Sequence, residues 1–121
     1  MSLSPDRVPI IVGVGEVVDR TRNPAEGREP LALMLEALRD AERDAGGVAL
    51  LPLVDSIDVV CEYSWPYVDA PGLIAQNLGV TPKHSFYGDA GGESPVRFIH
   101  EAALRIQRGE CVAAAVVGAE A

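Results

Sequence analysis

The amino-acid sequence predicts an α/β fold, a mostly parallel sheet of about four strands with layered helices. Three observations predict it. Apolar runs alternate with amphipathic helical segments, in the order strand, helix, strand, helix, strand, helix, strand. Prolines stand at the starts of the helical segments and glycines at their ends, the asymmetry expected of helix termini. Residues 8–14 are apolar throughout instead of alternating, as parallel strands covered on both faces are, and such strands are joined by right-handed crossovers.

Each element has its own local cause. Residues 8–14, VPIIVGV, are apolar and β-branched and predict a buried first strand. Residues 16–29 are charged, contain Asn23-Pro24 and Gly27, and predict a surface loop. Pro30 occupies a first helical position, Leu31, Met34, Leu35 and Leu38 come after it at helical spacing, and Gly46-Gly47 ends the run. Glu36, Arg39, Asp40, Glu42 and Arg43 decorate the opposite face, where solvation is the ordinary role of such charges. After a short apolar turn at Leu50–Val54, residues 56–63 predict the second strand. Asp69 or Ala70 caps a short helix with Pro71 in its first turn, ending at Gly79. Thr81-Pro82 leads to a third strand at 83–87. Ser94 is expected to cap the last helix and Pro95 to start it. Val96, Ile99, Ala103 and Ile106 form its apolar face, and Phe98, Ala102 and Leu104 widen the band enough to imply cover on more than one side. Residues 111–117 predict the fourth strand.

Composition narrows the function classes. A net charge of −8 argues against nucleic acid as a partner, because phosphate neutralisation needs a basic face. No apolar run is long enough for a membrane span. Cys61 and Cys111 make no disulfide framework, and the MSLSPDR start does not read as a secretion signal, so a cytoplasmic protein with free thiols is expected.

Two glycine-bearing segments invite a functional reading. Gly13-Val14-Gly15 closes the first predicted strand, but a dinucleotide fingerprint needs a third glycine where Val18 stands, and a helix in place of the polar loop. A tight turn is the simpler account. Gly88, Gly91 and Gly92 precede the last helix, where the helix dipole stabilises an anionic nucleophile.

Here the chain resembles a known family. RVPIIVGVGE at 7–16, EPLALMLEALRDAERDAG at 29–46, LVDSIDVV at 53–60 and HEAALRIQRGECVAAAVVGAEA at 100–121 are similar to the N-terminal part of the thiolase superfamily, nearest the sterol-carrier-type, acetyl-CoA acetyltransferase-like branch. The resemblance implies two similar halves, each a five-stranded sheet layered with helices, of which residues 1–121 supply a partial N-terminal domain. The fifth strand, the loop region that holds coenzyme A and the C-terminal half, with the family's catalytic histidine and second cysteine, would lie elsewhere. It also implies a coenzyme A thioester as substrate, with no cofactor indicated by motif. Its partners would be acyl-CoA and either a second copy or a C-terminal thiolase half. The strand at 83–87 would pair with its copy across a dimer.

Registered on Ile106 and Gly109, the family's cysteine position falls at Gly92, with Gly91 and Glu93 as neighbours. None of the three forms the thiolate that acyl transfer through a cysteine requires. Ser94 is the other candidate nucleophile, although it lacks an adjacent base and capping is its ordinary role. His84 and His100 match neither catalytic position and read as structural or surface residues. Cys61 lies toward the end of an apolar strand and Cys111 opens another, and both read first as small hydrophobes. Glu93 with Asp89 offers too few donors for a cation, and no metal is expected. Tyr63, Trp65 and Tyr67 either line a pocket mouth or pack on a neighbour. Three functions remain open: part of a thiolase-type acyltransferase, a non-catalytic thiolase-like subunit binding acyl-CoA or a protein, and an unrelated nucleotide-binding domain that the broken glycine pattern disfavours.

Overall fold

The computed structural model describes residues 5–21, 23–88 and 91–120. Helix α1 spans Pro30–Asp44, β1 Ser56–Val59, α2 Ala70–Leu78, β2 His84–Tyr87, α3 Ser94–Gln107 and β3 Ala114–Val117. The strands form one parallel sheet in the order β2-β1-β3, with Val59 level with Tyr87 on one side and Val117 on the other.

The helix ends obey local chemistry. Pro30 begins α1, and Gly46 and Gly47, both at positive φ, end it. Asp69 caps α2 by accepting from the Gly72 N–H at 3.1 Å, and Gly79 leaves the helix at φ 72°. Helix α3 differs from expectation by one residue. Glu93 holds the cap position without a side-chain cap bond, and Ser94 is the buried first helical residue. The chain has already turned at Gly91, whose carbonyl accepts from the Ser94 N–H at 3.1 Å, so the helix needs no serine cap.

The core lies between the sheet and α1 with α2. Met34, Leu35 and Leu38 of α1 and Ile74 and Ala75 of α2 meet Ile57, Val59, Ala115 and Val117. Removing a side chain as buried as Met34 costs about 2–5 kcal/mol. On the other face α3 places Phe98 and Ala102 inward. The row Val96, Ile99, Ala103 and Ile106, predicted to be its main apolar face, is instead its open side, with Val96 72% exposed.

Among the described residues the sheet has three strands, not four. Residues 8–14 join none of them, and Ile10 and Ile11 are 73% and 74% exposed. The reason is spatial. This segment lies on α1, where the Val14 N–H donates to Asp44 Oδ2 at 2.8 Å and the Glu16 N–H to Asp40 Oδ2 at 3.3 Å. Asp40 and Asp44 therefore fasten a neighbouring segment and are not merely solvated. Between residues 9–15 and β3 lies an apolar slot of about 520 Å³, walled above and below by α1 and α3.

Candidate functional site

Parallel α/β sheets gather chemistry at the carboxyl ends of their strands. Here that rim holds Cys61 and Glu62 after β1, Gly88 after β2 with the turn at Gly92 and Glu93 before α3, and Glu120 after β3. The Gly88 N–H bonds to the Val59 carbonyl at 3.0 Å, so the turn starts directly beside the end of β1. Helix α3 begins at the far end of the turn and directs its N-terminus there.

The glycines of this turn are not alike. A Cβ on Gly88 would run into the Phe98 ring, so that position is kept small by packing. A Cβ on Gly91 would meet only the flexible Glu93 carboxylate, at 3.0 Å. A Cβ on Gly92 would meet nothing within 4 Å, and neither Gly91 nor Gly92 has a positive φ. The backbone at Gly92 thus has room for a Cβ and no need of glycine's left-handed freedom. Asp89, the acid paired with Glu93 as a sparse cation site, lies outside the described residues. Among the described residues no three acidic, histidine or cysteine side chains gather to hold a metal.

Beside the turn sits a polar cluster that the sequence did not reveal. Glu62 is buried and its Oε1 accepts from the Tyr87 hydroxyl, while Oε2 is buried without a hydrogen-bond partner. Burial, then the bond to Glu62, pushes the Tyr87 phenol well above its ordinary pKa, and Cys61 lies close enough to add to this. Cys61 itself is half-buried, with its thiol 3.5 Å from the Glu62 carbonyl. Glu120 accepts from the Tyr63 N–H at 2.9 Å and the Ser64 N–H at 2.7 Å, which ties the end of β3 to the loop after β1. The only sequence signal for Glu62 was an acid directly after an apolar strand. Its partner lies 25 residues on.

The loop aromatics divide. Tyr67 accepts from the Leu31 N–H at 2.8 Å and donates to Glu29 Oε1 at 2.9 Å, stitching the loop to the start of α1. Burial, aided by Glu29, pushes its phenol up to about 12. Trp65 is tilted against it at 6.4 Å between ring centroids, and Tyr63 is exposed.

Other candidates lie away from the turn. His84 sits at the start of β2 with Nε2 3.0 Å from Asp58 Oδ1, and Arg105 of α3 donates to Asp58 Oδ2 at 2.5 Å. Asp58 is buried, so these partners are what permit a carboxylate in mid-sheet. His100 is exposed on α3. Cys111 is buried, and burial, then the nearby Asp55 carboxylate, pushes its thiol up. Gly13 and Gly15 are packing glycines, since a Cβ on either would strike the carbonyl oxygens of Ala41 and Ala37 in α1.

No family model and no curated protein matches the sequence. Solved structures do match. The chain is similar to a monomeric SCP2-thiolase-like protein type 1 from Mycobacterium smegmatis, with 27% identity and a TM-score of 0.79, over 96% of this chain and 24% of that one. It is also similar to a cysteine-to-serine variant of OleA from Xanthomonas campestris with bound lauric acid and lauroyl-CoA, at 20% identity and a TM-score of 0.64. A glutamate-to-glutamine OleA variant gives 21% and 0.62. Each OleA match covers 77% of this chain and 28% of the other, and at that identity it speaks for the fold alone. The chain spans about a quarter of the length of the structures it matches.

Proposed function

Starting from a chain with the fold of the N-terminal part of a thiolase-like protein, we propose that it serves thiolase-type acyl-CoA chemistry and carries no nucleophile at the turn before α3. The supporting observation is Gly92. It lies just before the start of α3, where a thiolate would be stabilised, in a backbone that accepts a side chain and with open space around the missing Cβ. Acyl transfer of the acetyl-CoA acetyltransferase type, by thiolytic cleavage or Claisen condensation, needs a sulfur that attacks the thioester carbonyl. Ser94 is no substitute, being buried in the first turn of α3. Residues 1–121 are then a partial N-terminal domain that meets its substrate together with a fifth strand, a coenzyme A loop region and a C-terminal half. A cytoplasmic role in lipid metabolism accompanies this reading. The substrate class proposed with it is an acyl thioester of coenzyme A, the class of the lauroyl-CoA bound by the OleA variant.

The test is intact mass after incubation of the purified chain with lauroyl-CoA, for the native sequence and for Gly92→Cys. The native chain keeps its mass. The Gly92→Cys chain gains one lauroyl group, lost on treatment with hydroxylamine. A lauroyl adduct on the native chain, or none on the Gly92→Cys chain, overturns the proposal.

A second reading, a non-catalytic thiolase-like subunit, is favoured by the sheet edges. Among the described residues strand β2 pairs with β1 alone, and Phe86 on it is exposed, which leaves an outer edge where a second copy would pair. Sedimentation at rising concentration tests it, and a monomer at all concentrations ends the dimer reading.

A further inference from the structure

The two cysteine thiols have different settings. Cys111 is buried ahead of β3, at the end of the sheet away from the rim. Cys61 is half-buried at the rim just after β1, beside a phenol and a carboxylate. Its sulfur lies 3.5 Å from the Glu62 carbonyl and close enough to the Tyr87 hydroxyl to act on that phenol. The Tyr87 hydroxyl in turn donates to Glu62 Oε1. Glu62 is only 5% exposed, and its Oε2 is buried with no hydrogen-bond partner. A carboxylate oxygen so placed is costly, and a donor brought to it relieves the cost.

We infer that Cys61 is an oxidation site, where hydrogen peroxide converts the thiol to a sulfenic acid whose O–H turns to Glu62 Oε2. The step balances. The thiol proton passes through the Tyr87 hydroxyl to Glu62 as the sulfur forms its bond to one peroxide oxygen. The O–O bond breaks, sulfur gives up an electron pair, and the departing hydroxide recovers the proton from Glu62 through Tyr87 and leaves as water. Tyr87 relays without becoming a phenolate, since burial, then the bond to Glu62, holds its proton on. Access selects the residue. Peroxide is scarcely larger than water and reaches a half-buried sulfur, while Cys111 is sealed in the interior. Nor does the product find a thiol to condense with inside the chain, because Cys111 precedes β3 and Cys61 follows β1, at opposite ends of a parallel sheet. The sulfenic acid therefore persists until an external thiol reduces it, which makes a reversible mark at the rim. This inference is independent of acyl-CoA chemistry: its test uses no thioester and leaves residue 92 unchanged.

The test treats the purified chain with hydrogen peroxide in the presence of dimedone, which captures sulfenic acids, and locates the adduct by peptide mass. Cys61 gains one dimedone and Cys111 none. The folded chain labels Cys61 at least about tenfold faster than the urea-unfolded chain does, a modest share of what a positioned acid–base pair contributes. Glu62→Gln keeps an acceptor for the Tyr87 hydroxyl but takes no proton, and it slows Cys61 labelling about tenfold. Cys111 stays unlabelled in that variant, the sign that the fold is intact. Labelling of Cys61 no faster in the folded chain than in the unfolded one, or at the native rate in Glu62→Gln, overturns the assignment, and so does labelling of Cys111 ahead of Cys61 in the native chain.

Discussion

Two glycine-bearing segments approach helices in this molecule, and they do so for opposite reasons. At Gly13 and Gly15 the backbone lies so close to α1 that a single Cβ would strike the helix carbonyls. At Gly92, just before α3, a Cβ would meet open space. The first pair is glycine because packing leaves no alternative. The second is glycine although packing permits any residue, so what is absent there is a functional group and not room for one. Glycine content alone, which the sequence displays equally at both places, separates neither case.

Substitution is the direct way to break this contrast. The largest effect is expected for Gly15→Ala, which drives a methyl group against the Ala37 carbonyl and should cost about 3 kcal/mol in urea unfolding. A cost under about 0.5 kcal/mol, the range of ordinary surface changes, would remove the packing half of the comparison.

Next comes Tyr87→Phe, beside the second segment, which strips Glu62 Oε1 of its donor in a buried place and should cost about 2 kcal/mol at neutral pH. Its pH signature sharpens the contrast. The folded-state pKa of Tyr87 is raised, so its contribution is fully present below the unfolded value near 10 and is lost as pH rises through the higher folded value. Tyr67, raised to about 12, loses its own contribution between about pH 10 and 12. The alkaline decline in stability should shrink in Tyr87→Phe, and an unchanged decline would discard Tyr87 as its source.

Asp44→Ala is expected to cost about 1 kcal/mol by freeing the Val14 N–H, and to raise amide exchange at residues 12–16 more than in the sheet. Smallest of all is Gly92→Ala, expected within about 0.5 kcal/mol of the native chain. A loss of about 2 kcal/mol there, far beyond an ordinary surface change, would mean that the turn needs glycine for its shape, and the open-position reading of the site would fail with it.

How much of this was legible in the sequence depends on how local the causes are. Helices α1 and α2 were placed from Pro30, Asp69, Pro71 and Gly79, whose effects act within one turn of the chain. Residues 8–14 misled because β-branched apolar character reports that a segment is extended, not that a partner strand lies beside it. Asp40 reads as a solvent charge because nothing nearby in sequence names the amide it holds. The turn at 88–92 was visible from its glycines. Glu62 and Tyr87 are each unremarked in their own segments and become a pair only when β1 and β2 are aligned. Asp58 and Arg105 left a better trace. An acid inside SIDVV and a base in the last helix each need a partner on burial, although neither names the other across 47 residues.

That last pair has a mechanical consequence. With the Arg105 guanidinium clamped to a carboxylate in mid-sheet, a roll of α3 about its axis or a lengthwise slide breaks a buried ion pair and leaves Asp58 to His84 alone, a penalty of about 3–5 kcal/mol. The opposite tip of the rod, about three coils away at Ser94, inherits that stillness. The aim of the polypeptide dipole at Gly92 is therefore governed from the far end of the helix, and loosening Arg105 should blur the direction in which any side chain grafted at Gly92 faces.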